Sequence, residues 1–254
     1  MSVRIIPCLD VKNGRVVKGL NFESLRDTGD PIKLGAYYAQ EGADELVILA
    51  IAATNEQKKD KIEMVKKIAS EISIPFTVGG GVSTVEDIRE LLEAGANKVS
   101  INSAAVKNPK LLEAGAESFG SEHLVLAVDA KRRGADPKQG WAVYINGGRT
   151  ATKLDLVEWV TTAEKLGAGE ILVTSIDADG TQDGYDYALL RAVAERVKVP
   201  VIASGGAGRL EHLRDAVLKG KANAVLAASI FHDQIYTIRE VKEYLASAGI
   251  QVRL

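Results

Sequence analysis

The chain has 254 residues, of which 46% are hydrophobic and 26% are charged, and its formal net charge is −2. This composition is typical of a globular protein, and the length is normal for one α/β barrel domain. The near-zero net charge gives no electrostatic reason to expect nucleic acid or an anionic membrane as a partner. No stretch approaches the roughly 20 apolar residues of a membrane span, and no secretory signal pattern follows Met1. We therefore expect a cytoplasmic protein whose partners are small molecules or other proteins.

Taken in chain order, short apolar runs alternate with segments whose apolar residues have helical spacing, as in 85–92 and 156–163. Alternating strands and helices predict parallel strands joined by right-handed crossovers, and eight such units close most naturally into a barrel. We predict a single (β/α)8 TIM barrel over residues 1–254. Its eight predicted strands are 4–10, 45–50, 75–79, 98–102, 124–129, 170–175, 200–204 and 224–228.

Glycines punctuate the ends of several predicted helices, at Gly42, Gly95, Gly167 and Gly220. Each is expected to adopt the left-handed conformation of a helix C-cap. Two long loops are predicted, at 12–30 after the first strand and at 131–152 after the fifth. Loops that follow barrel strands lie on the catalytic face. The lone cysteine, Cys8, lies in an apolar run and is expected to be a buried core residue.

The second half of the chain repeats the plan of the first. Residues 75–81 match residues 200–206 at an offset of 125, and the same offset superposes Gly42 and Glu45 on Gly167 and Glu170. We therefore predict two half-barrels, about 1–120 and 121–254. Such a doubled barrel places equivalent groups on opposite sides of one mouth, which suits a long substrate with similar groups at both ends.

Asp10 and Asp129 each end an apolar strand and are each followed two residues later by a lysine. We expect both carboxylates at the catalytic rim. One, partly shielded from water, would have a raised pKa and act as an acid, while its better-solvated partner stays ionised as a base. The alternative is that either aspartate only caps the next turn.

Glycine clusters follow the third and seventh predicted strands, at 79–81 and 205–206. Backbone N–H groups of these glycines could each bind a phosphate, which defines two predicted phosphate cradles. Residues 102–103 would add donors to the first cradle, and residues 228–229 to the second. The turn 179–181 would close the second cradle through its backbone amides. Tight turns without a ligand are the alternative.

Lys18 could neutralise substrate charge or be a solvated loop lysine. The three histidines are scattered, so neither a metal nor another cofactor is predicted. The two tryptophans, Trp141 and Trp159, are expected to pack.

These motifs resemble the cyclase subunit family of imidazole glycerol phosphate synthase, over essentially the whole chain. The matching segments are IPCLDV (6–11), GRVVKG (14–19), GDP (29–31), VGGGV (78–82), SINSAA (100–105), GAGEI (167–171), DGT (179–181), ASGGAG (203–208) and AASIFH (227–232).

The resemblance implies that ammonia converts a bisphosphorylated formimino-ribulosyl aminoimidazole carboxamide nucleotide to imidazole glycerol phosphate and aminoimidazole carboxamide ribotide. It assigns Asp10 and Asp129 as the acid/base pair and Lys18 and Ser204 to substrate charge and orientation. The phosphate-binding residues that it implies are Gly81, Asn102 and Ser103 at one site, and Asp179, Gly180, Gly206, Ala228 and Ser229 at the other.

The resemblance also implies a glutaminase partner that docks on the opposite face and supplies ammonia through the barrel. Arg4, Glu45, Lys98 and Glu170 match the charged ring at that entrance, and as strand-start residues they should neutralise one another at the bottom of the barrel. A stabilising salt-bridge layer without a gate is the alternative.

Three positions depart from the family pattern. Ala50 stands where an aspartate is usual, so one active-site carboxylate is missing, and Ala52 stands where threonine or serine is common. Asn97 replaces an acidic residue near the partner interface, and Lys153 replaces a loop glycine. A sister sugar-phosphate isomerase of the same pathway, also a doubled barrel with two aspartates, fits the signatures less well. A non-catalytic barrel that binds phosphometabolites is the third hypothesis.

Overall fold

Eight parallel strands close into a barrel in the computed structural model, which describes residues 2–20, 23–50, 55–134, 136 and 139–254. The first strand pairs with the last strand on one side and with the second barrel strand on the other, and the remaining pairs complete the ring. The predicted (β/α)8 fold is confirmed. The barrel strands are β1 (Arg4–Lys12), β4 (Leu46–Ala50), β5 (Phe76–Gly79), β6 (Lys98–Ile101), β7 (Leu124–Arg132), β10 (Glu170–Ser175), β11 (Val201–Ser204) and β12 (Ala224–Ala227).

The two segments predicted as long loops are antiparallel hairpins instead. Strand β1 continues through β2 (Arg15–Leu20) and β3 (Glu23–Gly29), and β7 continues through β8 (Trp141–Ile145) and β9 (Thr150–Asp155). Asn13 and Gly14 both have positive φ, as a two-residue hairpin turn requires, and Lys12 pairs with Arg15 across that turn. The prediction was wrong because it overlooked the Asn-Gly pairs at 13–14 and 146–147, which are strong hairpin signals.

Helices surround the barrel. Several begin with side-chain caps, such as Asp30, which accepts from two N–H groups of the first turn. The helices are α1 (Pro31–Gln40), α2 (Asn55–Glu71), α3 (Val85–Glu93), α4 (Ser103–Lys107), α5 (Lys110–Phe119), α6 (Leu156–Lys165), α7 (Tyr187–Ala194), α8 (Leu210–Leu218), α9 (Ser229–His232) and α10 (Ile238–Ser247). Within the described part of the chain, none is both long and apolar enough to cross a membrane.

Three of the four predicted glycine caps are confirmed, because Gly42, Gly95 and Gly167 all have φ between 89° and 107°. Gly220 is the exception. The left-handed residue at the end of α8 is Lys221, with a φ of 60°. Gly220 is required for space instead, since a Cβ there would press on the Ala216 carbonyl and the Leu190 side chain.

The core has two parts because side chains alternate between the two faces of each strand. The larger part lies between the barrel and the helices and includes Trp141 and Trp159, which pack as predicted. The smaller part fills the barrel interior with side chains from six strands, and the buried Cys8 belongs to it. The buried hydroxyl side chains of Thr77 and Ser100 also face the barrel interior, because their neighbours Val78 and Val99 face the outer core.

One hydrogen bond recurs at matching places in the two halves. The Asn97 side-chain oxygen accepts from the N–H of Phe76 at 2.9 Å, and that of Asn223 accepts from the N–H of Val201 at 2.9 Å. Each asparagine thus fixes the start of the preceding barrel strand. This agrees with an internal repeat, whereas the half-barrel boundaries remain a prediction.

Candidate active site at the carboxyl ends of the strands

Asp10 and Asp129 lie near the carboxyl ends of β1 and β7. Their neighbours in sequence, Leu9 and Val128, face the outer core, so alternation turns both carboxylates toward the inside of the mouth. Asp10 is partly exposed and Asp129 is 9% exposed. Both strands therefore deliver a nearly buried carboxylate to the catalytic end of the barrel, as the sequence predicted.

Burial raises the pKa of both carboxylates to about 6, and the neighbouring negative charge of Asp179 adds to this at each site. The expectation of one raised and one ordinary pKa is therefore wrong. Their hydrogen bonds still differ. Asp129 accepts from the side-chain amide of Asn102 at 3.1 Å and is stabilised by the N–H of Gly148, whereas the Cys8 thiol, 3.9 Å away, is a weak donor to Asp10.

Asp179 is a third carboxylate of this site. The sequence pointed to the backbone amides of its turn, but its side-chain charge acts on Asp10, Asp129 and the Cys8 thiol. Its own pKa is raised by burial, against the stabilising N–H of Gly180. Position 179 lies after the sixth barrel strand, outside the regular alternation of β10. For this reason the periodicity could not predict where the carboxylate points.

Asn102 contacts Asp129 rather than standing free as a wall of the first phosphate cradle. It precedes the short helix α4 without making a side-chain capping bond, and its amide nitrogen donates to the Asp129 carboxylate. Its side-chain oxygen is buried and, among the described residues, has no hydrogen-bond partner. Asn102 thus orients a carboxylate of the mouth through its amide nitrogen.

The tip of the β8–β9 hairpin lies over this part of the mouth. The N–H of Asn146 donates to the Ser103 hydroxyl at 2.9 Å, and the N–H of Gly148 approaches Asp129. Asn146, Gly147 and Gly148 all have positive φ, which turns successive N–H groups toward the barrel. A loop, as predicted for 131–152, has no defined position, and only the hairpin of the structure places this segment against Ser103.

The first glycine cluster forms a tight turn after β5. Gly80 and Gly81 have φ of 88° and 70°, and a Cβ on Gly80 would collide with the Ala50 carbonyl. Among the described residues, the N–H of Gly81 has no hydrogen-bond partner. A backbone donor that lacks a protein acceptor is what an anion site requires.

The second cluster has the same form after β11. Gly205 and Gly206 have φ of 89° and 103°, and the Gly206 carbonyl accepts from the N–H of Gly184 at 2.8 Å. The N–H of Gly206, like that of Gly81, lacks a partner in the described part of the chain. Asp179 lies against Gly205, and the carbonyl of Gly184 lies against Gly206. In the chain, Ser204 ends β11, Gly180 follows β10, and Ala228 and Ser229 stand at the start of α9.

The predicted ring of charged residues is formed at the opposite end of the barrel. Glu45 forms ion pairs with Arg4 at 2.6 Å and with Lys98 at 3.1 Å. Glu170 also forms ion pairs with both bases, and its distance to Lys98 is 2.8 Å. Each acid contacts both bases, so the four side chains close a ring of alternating charge. Thr77 adds a hydrogen bond to Glu45 at 2.8 Å.

Below the ring, a surface recess of about 440 Å³ opens to solvent. Three of the ring residues contribute to its lining, together with Glu122 and Asn223 at the rim. The mouth and this recess are separated by the apolar barrel interior and by the ring itself. Whether the ring acts as a gate remains a prediction.

The three departures from the family pattern fall in different places. Ala50 is buried in the outer core at the end of β4, and its carbonyl lies against Gly80. Asn97 fixes the start of β5, and Lys153 is an exposed residue of β9. Ala52 and the side chain of Lys18 lie outside the described residues.

In the part that the structure describes, no group of three metal-ligating side chains comes together.

One comparison with known protein families bears on this geometry. The model of a family described as "Histidine biosynthesis protein" matches residues 4–237 of the chain. The matched region includes all eight barrel strands, both glycine clusters, the three carboxylates of the mouth and the charged ring.

Proposed function

Because the chain belongs to the histidine biosynthesis protein family, we propose that this barrel enzyme is the cyclase of that pathway. In this reaction, ammonia converts the bisphosphorylated formimino-ribulosyl aminoimidazole carboxamide nucleotide to imidazole glycerol phosphate and aminoimidazole carboxamide ribotide. The phosphates at the two ends of the substrate would bind at Gly81 and Gly206, whose N–H groups lack an acceptor among the described residues. The reacting centre of the substrate would then lie between Asp10 and Asp129.

The observation that carries this proposal is the ring of Arg4, Glu45, Lys98 and Glu170. An isomerase rearranges one molecule and needs only the mouth of the barrel. Four ionisable groups held in a barrel interior cost desolvation energy, which favours a role for the far end of the barrel in addition to stability. Entry of ammonia from a glutaminase partner docked over the recess supplies that role.

The ring as observed is closed by its ion pairs, so the passage of ammonia would require at least one acid–base contact to separate. Beyond the ring, ammonia would meet an interior lined mainly by apolar side chains, which ends near Cys8 and Leu226. Such a lining suits the neutral molecule, because ammonium would lose its hydration there without a partner. The charge pattern and the apolar interior thus support ammonia, rather than ammonium, as the species that reaches the mouth.

At the mouth, the two carboxylates would transfer the protons of the reaction. With a pKa of about 6, each is mainly ionised at pH 7 to 8 and accepts a proton readily. One carboxylate would take the proton that the attacking nitrogen must lose, and the carboxylic acid so formed would protonate the nitrogen of the departing ribotide. Asn102 and Gly148 hold Asp129 for this role, and burial, with a smaller effect of the Asp179 charge, raises the pKa of both groups.

Turnover of the isolated chain tests this proposal. With the bisphosphorylated nucleotide and ammonium salts, we expect release of imidazole glycerol phosphate, and we expect Asp10→Asn and Asp129→Asn each to abolish it while leaving the far-ultraviolet circular dichroism unchanged. Binding of the nucleotide without product at high ammonia would contradict the cyclase and leave a non-catalytic barrel. Amadori rearrangement of the precursor sugar would identify the isomerase instead.

A separate experiment tests the glutaminase partner. When the glutaminase of the pathway is added with glutamine, we expect product without added ammonium salts. Glu170→Gln, which weakens the ring, should change glutamine-dependent turnover while leaving ammonium-dependent turnover within about twofold. Glu122→Gln, at the recess but outside the ring, is the matched control. An equal effect of both substitutions would exclude a specific role for the ring.

A further inference from the structure

Lys61 is a buried lysine for which the reaction described above has no role. It lies on α2 on the same stripe as Met64, Val65 and Ile68, at a position where an apolar residue would be expected. Its residue exposure is 9%, and its ammonium donates to the carbonyl of Gly80 at 2.7 Å. Burial lowers the pKa of Lys61 to about 8. The side chain thus brings a positive charge beneath the first glycine cluster.

This charge has no counterion in the described part of the chain. The nearby acid of α3, Asp87, is bound to Lys58 at 2.8 Å and accepts from the N–H groups of Ser83 and Thr84. It raises the pKa of Lys61 only as a secondary effect, against the larger effect of burial. A buried ammonium without a paired anion is costly to fold. Its presence points to an anion that the protein alone does not supply.

The gap beside the ammonium on the helix side leaves little enclosed space for an anion. The gap there, lined by Lys58, Lys61, Gly81 and Asp87, measures about 20 Å³, which accommodates about one water molecule. The opposite side of the Gly80–Gly81 peptide is different. The chain has no cis peptide among its described residues, so the N–H of Gly81 points away from the carbonyl that Lys61 binds. Within the described ranges, that N–H has no acceptor.

A cation on the carbonyl of a peptide strengthens its N–H as a donor, because hydrogen bonds in a chain polarise one another. The ammonium also adds a direct attraction across the peptide, at a distance at which a buried charge is only partly screened. Both effects act on whatever accepts from Gly81. They are largest for a doubly charged acceptor such as a phosphate monoester.

We propose that Lys61 is a positioning residue of the first phosphate site, acting through the Gly80–Gly81 peptide to bind a phosphate monoester dianion that it does not touch. The proposal rests on the phosphate-binding role given above to Gly81. A merely structural lysine would hold the Gly80 turn in place without affecting the affinity for phosphate once the protein is folded. The two roles therefore differ in a binding constant and not only in stability.

Titration of the full chain with inorganic phosphate, followed by the amide ¹⁵N–¹H signals of Gly81 and Gly206, separates these roles. In Lys61→Met we expect phosphate to bind about tenfold more weakly at Gly81 and within twofold of the original affinity at Gly206, the internal reference. Lys58→Met removes a charge one turn away that does not contact Gly80, and should change neither site by more than twofold. Lys61→Arg, which keeps the charge, should restore most of the loss.

The unaltered protein provides a second test that does not depend on a variant that folds. Free phosphate is already mostly a dianion at pH 8, so its affinity for Gly81 should fall between pH 7.5 and 9.5 only if a protein cation is lost. Lys61, with a pKa of about 8, is that cation, and Lys58, Asp87 and Glu90 are the other charged groups beside it. We expect the fall at Gly81 in the original protein and not in Lys61→Met or Lys61→Gln.

The outcomes are distinct. Unchanged affinity at Gly81 in a folded Lys61→Met, or an equal loss in Lys58→Met, overturns the role of Lys61 and leaves the cyclase proposal standing. Absence of phosphate binding at Gly81 in the original protein overturns both this role and the first phosphate site. Weaker binding at Gly81 alone, lost at high pH and restored by arginine, supports the role.

Discussion

Replacing Asp10 with asparagine should make the protein more stable above neutral pH while removing its activity. The pKa of Asp10 is about 6 in the folded chain and 3.8 in the ordinary, exposed state, so the fold favours the protonated form. Relative to a neutral side chain, Asp10 therefore costs little stability in acid. This cost grows as the pH rises through 6, because ionising the buried carboxylate is harder than ionising it in the unfolded chain.

The magnitude follows from the difference of about two pKa units. Each unit is worth about 1.36 kcal/mol, which gives an upper value of about 3 kcal/mol for the stabilisation of Asp10→Asn at pH 8. Because Asp10 keeps some solvent exposure, we expect about 1–3 kcal/mol. Asp10 is the better site for this test than Asp129. The Asp129 carboxylate accepts a hydrogen bond from Asn102, so an amide at position 129 would also disturb that bond.

Urea denaturation at pH 8 and at pH 4.5 measures this effect. The free energy of unfolding of Asp10→Asn should exceed that of the original protein at pH 8, and the excess should be about 2 kcal/mol smaller at pH 4.5, where the folded Asp10 is mostly protonated. Asp60→Asn, at an exposed position of α2, should change neither value by more than about 0.5 kcal/mol. A variant that is less stable at pH 8, or an excess that does not depend on pH, would refute the reasoning.

Three further substitutions test other parts of the structure. Gly80→Ala places a Cβ against a backbone carbonyl at positive φ and should lower the free energy of unfolding by about 3 kcal/mol or more. Gly42→Ala, also at positive φ but in open space, should lower it by about 1 kcal/mol. Equal losses in urea denaturation would contradict the close approach of the Ala50 carbonyl to Gly80. Asn102→Ala removes a hydrogen-bond donor from Asp129 and should raise the pKa of that carboxyl above about 6. The acid limb of the pH–rate profile should then move upward by about half a pH unit, and carboxyl ¹³C titration measures the pKa directly. An unchanged acid limb would count against the hydrogen bond. Arg4→Met leaves the two ring glutamates with one base and should destabilise the fold by about 3 kcal/mol, and an unchanged denaturation midpoint would show that the ring contributes little.

The barrel could be predicted from the sequence because its signals are local. Alternating side chains in eight short runs, and apolar stripes in the segments between them, specify parallel strands covered by helices. The positions of Asp10 and Asp129 at strand ends placed them at the mouth. The charged ring was implied by the family resemblance, and its residues at strand starts predicted the other end, where the structure has them. Family membership of residues 4–237 agrees with this prediction of the fold.

Other features depended on contacts between residues that are distant in the chain. The sequence shows an asparagine and a serine after β6, but only the packed hairpin shows that Asn102 orients Asp129 and that Asn146 contacts Ser103. The raised pKa values of the two aspartates likewise arise mainly from burial, with a smaller effect of Asp179, which lies 50 residues after Asp129 in the chain. No local pattern carries the sign or size of such an electrostatic effect.

For Lys61, the sequence indicates burial, but only the tertiary structure shows what the buried ammonium contacts. Its position on the apolar stripe of α2 is visible in the sequence and indicates burial. What the ammonium contacts is fixed by how α2 packs over the turn at Gly80, which depends on the closure of the whole barrel. The sequence by itself determined the order of the strands and the ends at which charge accumulates, because periodicity acts over a few residues. The tertiary structure decided which charges meet and which lack partners, because burial and distance are properties of the packed chain.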